Sequence, residues 1–147
     1  MGRTVARLGR HVEIALARVD LTIAQYRALT QLSEGAEASS SLAAKLAVSR
    51  PSATAVVEGL VERGLVDRRH SVEDRRRVSV NLTDAGWRVL SAADEAVGAK
   101  LAEVLTVVGA RQAAHAVNGI MQWGRAMDAN RARKRAGAGT GKPAGAA

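Results

Sequence analysis

Arg50, Ser52 and Thr54 fall within one short stretch of the chain, and Asp74, Arg75, Arg76 and Arg77 within another. Guanidinium groups offer forked donors that match phosphate oxygens and the O6/N7 edge of guanine, while hydroxyls can donate or accept at either kind of site. Arg50 could fork onto a guanine, a contact worth roughly 1–3 kcal/mol of discrimination. Ser52 and Thr54 can reach a phosphate or a base, and Ala55 at most a thymine methyl. In the loop 71–77, SVEDRRR, one arginine can enter a narrow minor groove, where the negative potential is strongest, and the others can hold flanking phosphates. Asp74 alone would repel phosphate; hydrogen-bonded to Arg76, it fixes that fork instead. Two plainer readings stand beside these. Ser49 and Ser52 can act as helix caps alone, and the loop can be a charge-rich solvated turn.

To reach a groove, Arg50, Ser52 and Thr54 must stand at the N-terminal end of a helix. Ser49 supplies a cap there, and Pro51 is tolerated because its missing N–H falls among first-turn donors that have no helical partner. The spacing turns Ala53, Val56, Val57, Leu60 and Val61 inward and makes Gly64 the residue that ends the helix. A shorter helix precedes it, capped by Ser39 or a neighbouring serine and burying Leu42, Ala43 and Leu46. About two residues separate the pair, the helix-turn-helix spacing. Strands over 65–70 and 77–82 flank the arginine loop, the second alternating Val78, Val80 and Leu82 with Ser79 and Asn81.

Amphipathic helices are predicted on both sides of this block. Residues 4–19 place Val5, Leu8, Val12, Ala15, Leu16 and Val19 on one stripe, and 22–32 repeat the pattern through Ile23, Tyr26, Leu29 and Thr30. The run 33–38, SEGAEA, reads as a turn with Gly35 as helix terminator. A long helix from Thr83 carries Trp87, Leu90, Asp94, Val97, Leu101, Val104 and Val108, a heptad seam suited to a partner helix, with Asp94 as a polar residue fixing register. A last helix near 111–130 offers Ala113, Val117, Ile120 and Met127. Residues 131–147 are of low complexity and read as a disordered basic tail.

Composition narrows the choices. The chain has 147 residues, 47% hydrophobic but only 2% aromatic, so its core must be built of Ala, Val and Leu. It has no cysteine, hence no disulfide framework and no thiolate metal site. His11, His70 and His115 share no ligand spacing. No apolar run approaches the ~20 residues a bilayer span needs. The N-terminus has no apolar block of the signal-peptide kind, so a cytoplasmic protein without membrane contact is expected. Of the 22 basic residues, five lie in 131–147 with no acid, leaving 17 against 14 acids, a net of +3, for the rest. The window 68–77 alone holds five arginines against Glu73 and Asp74, again +3. Charge concentrated in this way suits a polyanion. No Ser-His-Asp order, Gly-x-Ser-x-Gly elbow or phosphate loop supports enzyme chemistry, and no cofactor is indicated.

Several motifs together resemble the MarR family of winged helix-turn-helix regulators. They are L-A at Leu42–Ala43, S-x-x-S-x-T at Ser49–Thr54, L-x-x-x-G-L-V at Leu60–Val66, D-R-R at Asp74–Arg76 and V-x-L-T-x-x-G at Val80–Gly86. The resemblance implies a mostly α protein with a small β-wing: a winged helix-turn-helix lobe over 21–86, and a dimerisation domain from helices over 1–20 and 87–130. It further implies a homodimer on a pseudo-palindromic site in double-stranded DNA. Ser49, Arg50, Ser52 and Thr54 would belong to the reading helix, with Arg76, oriented by Asp74, at the wing tip between Arg75 and Arg77. The sequence departs from the family at Ala55, where members often carry a basic or polar residue. Family members commonly repress nearby genes and release DNA on binding a small, often aromatic anion. His11, Arg18, Tyr26 and Arg27 could line such a site, with His11 and Tyr26 foremost, although Tyr26 also reads as a core residue with a satisfied hydroxyl. Two other readings remain open: a winged-helix protein-interaction module, and a non-specific nucleoid-type DNA binder driven by the tail.

Overall fold

The computed structural model describes residues 1–35, 37–70 and 78–139. Among them run α1 (Gly2–Ala17), α2 (Ile23–Ser33), β1 (Glu37–Ala38), α3 (Ser39–Leu46), α4 (Arg50–Glu62), β2 (Val66–His70), β3 (Val78–Leu82), α5 (Asp84–Leu105) and α6 (Ala110–Gly139). The chain divides into two compact units, Met1–Glu103 and Val104–Ala147.

The first unit is a helical lobe with a small antiparallel sheet in the order β1-β3-β2. Val66 pairs with Leu82, Arg68 with Val80 and His70 with Val78, so the alternation read from the sequence sends Val66 and Val80 into the core. Glu37 and Ala38, expected in a turn, instead add a third strand by pairing with Val80 and Ser79. Two residues are too few to carry an alternating pattern, so only the ladder reveals them. The core gathers Leu16, Leu29, Leu32, Leu42, Leu46, Val57, Leu60, Leu65, Val80 and Leu90. Val61, expected inside, is exposed.

Helix ends follow local chemistry. Thr22 caps α2 in a capping box, its hydroxyl accepting from the Gln25 N–H at 3.2 Å while the Gln25 side chain accepts from the Thr22 N–H at 3.0 Å. Ala38, where a serine was expected, stands at the N-cap of α3. The connection between α3 and α4 runs through Ala47, held left-handed at φ 54°, a conformation that costs a residue with a Cβ about 1–2 kcal/mol.

α4 ends in a Schellman motif. Gly64, at φ 66°, donates to Val61 O at 2.8 Å, and the Leu65 N–H donates to Leu60 O at 2.9 Å, with both leucines buried. The start of α5 is locked onto this turn. The Thr83 hydroxyl donates to Gly64 O at 2.7 Å and accepts from the Gly86 N–H at 3.0 Å, while the Thr83 N–H donates to Leu65 O at 3.1 Å. A Cβ on Gly86 would run into the Leu65 carbonyl and lie 2.9 Å from Leu82 Cδ2. The motifs Leu60–Val66 and Val80–Gly86 are therefore two halves of one joint.

α2 is fastened on two sides by neighbouring residues. The Tyr26 hydroxyl donates to Asp94 Oδ1 on α5 at 2.6 Å, and the Arg27 guanidinium donates to Leu46 O at the end of α3 at 2.7 Å. Asp94 thus serves this lobe rather than a helical seam, and Leu90 and Ala93 on the same stripe pack into its core. Burial of the Tyr26 ring, followed by the Asp94 carboxylate beside its hydroxyl, pushes the phenol from its ordinary value near 10 up to about 12.

In the second unit, α6 continues to Gly139, through the first part of the stretch expected to be disordered. The residues Arg131–Lys134 are alanine and long basic side chains, which favour helix. None of the described residues of α6 is buried; Val117, Ile120, Met121 and Met127 form an exposed apolar stripe. Residues 140–147 lie outside the described residues.

Replacing Gly86 with alanine is expected to lower the unfolding free energy by about 2–3 kcal/mol in a denaturant titration. Gly98→Ala on the same helix, where an added Cβ meets nothing within 4 Å, should be neutral or stabilising. Tyr26 is the only tyrosine in the chain. The folded state holds the phenolic proton more tightly than the unfolded chain, so the stability this contact adds is complete below pH 10 and is lost as the pH climbs through about 12. Phenolate absorbance should have its midpoint near 12 and move back towards 10 in Asp94→Asn. A wild-type midpoint at the ordinary value would mean that the bond does not form in solution.

Candidate nucleic-acid interface

The N-terminal turn of α4 is shaped by two serines. Ser49, in extended backbone at the N-cap, accepts from the Ser52 N–H at 3.2 Å, and the two hydroxyl oxygens lie 2.8 Å apart. Thr54 donates its hydroxyl back to Arg50 O at 3.0 Å. Ser49, Ser52 and Thr54 are therefore brought together on one exposed turn, but each hydroxyl already has a local partner. Arg50 differs: its exposed guanidinium has no hydrogen-bond or ion-pair partner among the described residues. The capping role of Ser49 and Ser52 is real, and it leaves Arg50 as the group best placed to read an external acceptor.

The buried side of α4 explains why this face points outward. Ala53, Val57 and Leu60 are packed against α2 and α3, which leaves Arg50, Ser52, Thr54, Ala55 and Glu58 on the solvent side. No acid occupies the first turn, so the partial positive charge of the helix start is not cancelled locally. Glu58 lies one turn beyond Thr54 on the same strip. The sequence reading left it out because a single glutamate on a helix carries no distinguishing signal, yet a carboxylate there can accept from a cytosine amino group.

The loop 71–77 lies outside the described residues, and with it Asp74, Arg75, Arg76 and Arg77. The strand leading into it carries an ordered arginine. Asp67 Oδ2 accepts from Arg69 Nε at 3.0 Å and sits 2.9 Å from a terminal guanidinium nitrogen. The pair is largely exposed, so it orients the fork more than it stabilises the fold.

The side chains expected near an effector site are differently disposed. Tyr26 and Arg27 are engaged as struts by Asp94 and Leu46 O. His11 is half-buried, and its Nδ1 is buried with no partner among the described residues. Among those residues no group of three or more His, Cys, Asp or Glu could hold a metal ion, and no helix is long and apolar enough to cross a membrane.

Comparison with known proteins agrees with this geometry. The sequence profile of the MarR family matches residues 21–78. An HTH-type transcriptional regulator of Mycobacterium tuberculosis is 34% identical over 105 residues, which covers 71% of this chain and 73% of the relative. Among solved structures, RV1404 from M. tuberculosis superposes with a TM-score of 0.74 at 26% identity, over 85% of this chain and 88% of that one. The transcriptional repressor CouR, bound to a 23-mer DNA duplex, does so with a TM-score of 0.68 at 28% identity, over 82% and 86%. The chain belongs to the MarR family, whose members regulate transcription and are not enzymes.

Proposed function

We propose that two copies of this chain bind a pseudo-palindromic operator in double-stranded DNA and repress transcription until a small aromatic or anionic effector releases them. One observation carries the reading: α4 presents the Arg50 guanidinium, unpaired among the described residues, with Ser49, Ser52 and Thr54 around it, on the face that core packing turns to solvent. In this reading α4 lies in the major groove, where Arg50 forks onto a guanine and the hydroxyls, already bonded to their own helix, mostly meet phosphates. Arg76, steadied by Asp74, takes the minor groove, and Arg75 and Arg77 hold phosphates beside it. Repression is supported by the likeness to CouR, a repressor bound to DNA. A homodimer is supported by the exposed apolar stripe of α6 and by Val5 and Ile14 on α1, which a single copy leaves in water. For an effector, His11 is the better of the two candidates, because its ring nitrogen is unpartnered while the Tyr26 hydroxyl is committed to Asp94. A protein that works on the chromosome in this way acts in the cytoplasm.

Operator fragments selected from genomic DNA by the purified protein supply the test. Arg50→Ala is expected to flatten the preference for one base pair per half-site by roughly 5- to 150-fold, the equivalent of about 1–3 kcal/mol. Arg76→Ala should weaken operator binding about 10-fold while leaving that base preference in place. Fluorescence anisotropy on substituted duplexes reads both. An unchanged base preference in Arg50→Ala would remove the base-reading assignment, and a wild-type chain indifferent to duplex DNA at low salt would remove the whole reading.

A further inference from the structure

The distal end of α6 is built unlike the rest of the chain. Asp128 is the last acid and Met127 the last large apolar residue; beyond them come only Arg, Lys, Asn, Thr, Pro, Ala and Gly. The helix nevertheless continues to Gly139, and Arg131, Arg133 and Lys134 are exposed on it. Arg133 meets only the neutral Asn130 side chain, at 3.4 Å, and no carboxylate pairs with any of the three among the described residues. Arg135 follows directly in sequence.

This composition excludes the usual uses of a helix end. With no apolar stripe, it can neither close a helical seam nor lie in a lipid interface, since both need a buried hydrophobic face. At about 100° per residue, positions 131, 133, 134 and 135 spread over a little more than half of the helix circumference instead of forming one narrow stripe. A short cationic rod of this kind fits a partner whose negative charge is dense and regular. Duplex DNA carries one phosphate per ~1.7 Å of axis, and arginine forks match phosphate oxygens two at a time.

We propose that the end of α6, through Arg131, Arg133, Lys134 and Arg135, is a second DNA contact that is indifferent to sequence and grips phosphates flanking the operator. The proposal rests on the operator reading above. Once α4 is seated, the tethered cations meet nearby duplex at high effective concentration, so four individually weak contacts add affinity without adding base preference.

The test compares the full-length protein with the quadruple variant Arg131→Gln, Arg133→Gln, Lys134→Gln and Arg135→Gln, which keeps length and helix propensity. Affinity is measured against salt from about 50 to 200 mM on an operator with long flanks, on the operator trimmed of flanks, and on a long duplex of mixed sequence. On both long duplexes the log–log salt slope should fall by about 3–4 per protomer in the variant, so that raising the salt weakens wild type on the order of 100-fold more for each protomer engaged. On the trimmed operator the two proteins should behave alike, and the ranking of operator sequences should be unchanged. Equal slopes on the long duplexes would overturn the proposal, and the end of α6 would then await an acidic protein partner instead. If wild type prefers no fragment, the operator reading fails by itself, while the mixed-sequence duplex still decides whether these four cations touch DNA.

Discussion

The carbonyl oxygens of Gly64 and Leu65 set the geometry of what surrounds them, because both must find donors at a place where a helix has just ended. Thr83 supplies both, one from its hydroxyl and one from its backbone, and Gly86 provides the missing volume that lets α5 approach. The joint fixes where β2 departs and where β3 returns, so the register of the wing follows from it. It also holds the C-terminal end of α4. A helix anchored at one end by a Schellman turn and along one side by Val57 and Leu60 has little freedom in how it offers Arg50. Backbone hydrogen bonding inside the lobe thus decides the aim of a side chain outside it.

α2 does the complementary work from the other side. Its adjacent residues Tyr26 and Arg27 face opposite neighbours, one tied to α5 and the other to the Leu46 carbonyl that ends α3. Arg63, at the end of α4, reaches Asp20 O at 2.6 Å and so joins the α1–α2 turn to α4. These contacts are part-exposed, and individually each adds only about 0.5–1.5 kcal/mol. Their value lies in what they connect: α2 to α5, α2 to α3, and the α1–α2 turn to the end of α4.

Much of the lobe was legible in the sequence because its signals are local. Ser49 before Pro51, Gly64 after Val61 and the alternation of 78–82 each encode one geometry, and each lies where those residues place it. The misses are non-local. Nothing within Glu37–Ala38 announces a strand that exists only because β3 has a free edge, and no spacing rule connects Tyr26 with Asp94 across 68 positions. Asp94 was misread because a polar residue in an apolar stripe looks the same whether its partner is a second helix or a tyrosine from its own lobe. The end of α6 was misread for a related reason: absence of apolar residues argues against packing, but Ala, Arg and Lys still favour helix. For the candidate site, the exposed turn and the capping by Ser49 and Ser52 were readable, whereas the bond from the Thr54 hydroxyl back to Arg50 O was not.

Ala47 gives the lobe a property that a glycine would have removed. Glycine is the ordinary occupant of a left-handed corner, and it leaves the link between two helices with many alternative paths when that link loosens. An alanine held there narrows those paths, at the expense of built-in tension. α3 and α4 are consequently joined by something nearer to a bracket than a hinge. Reorientation of α4 is then a movement of the pair as one body, with the bend between them preserved.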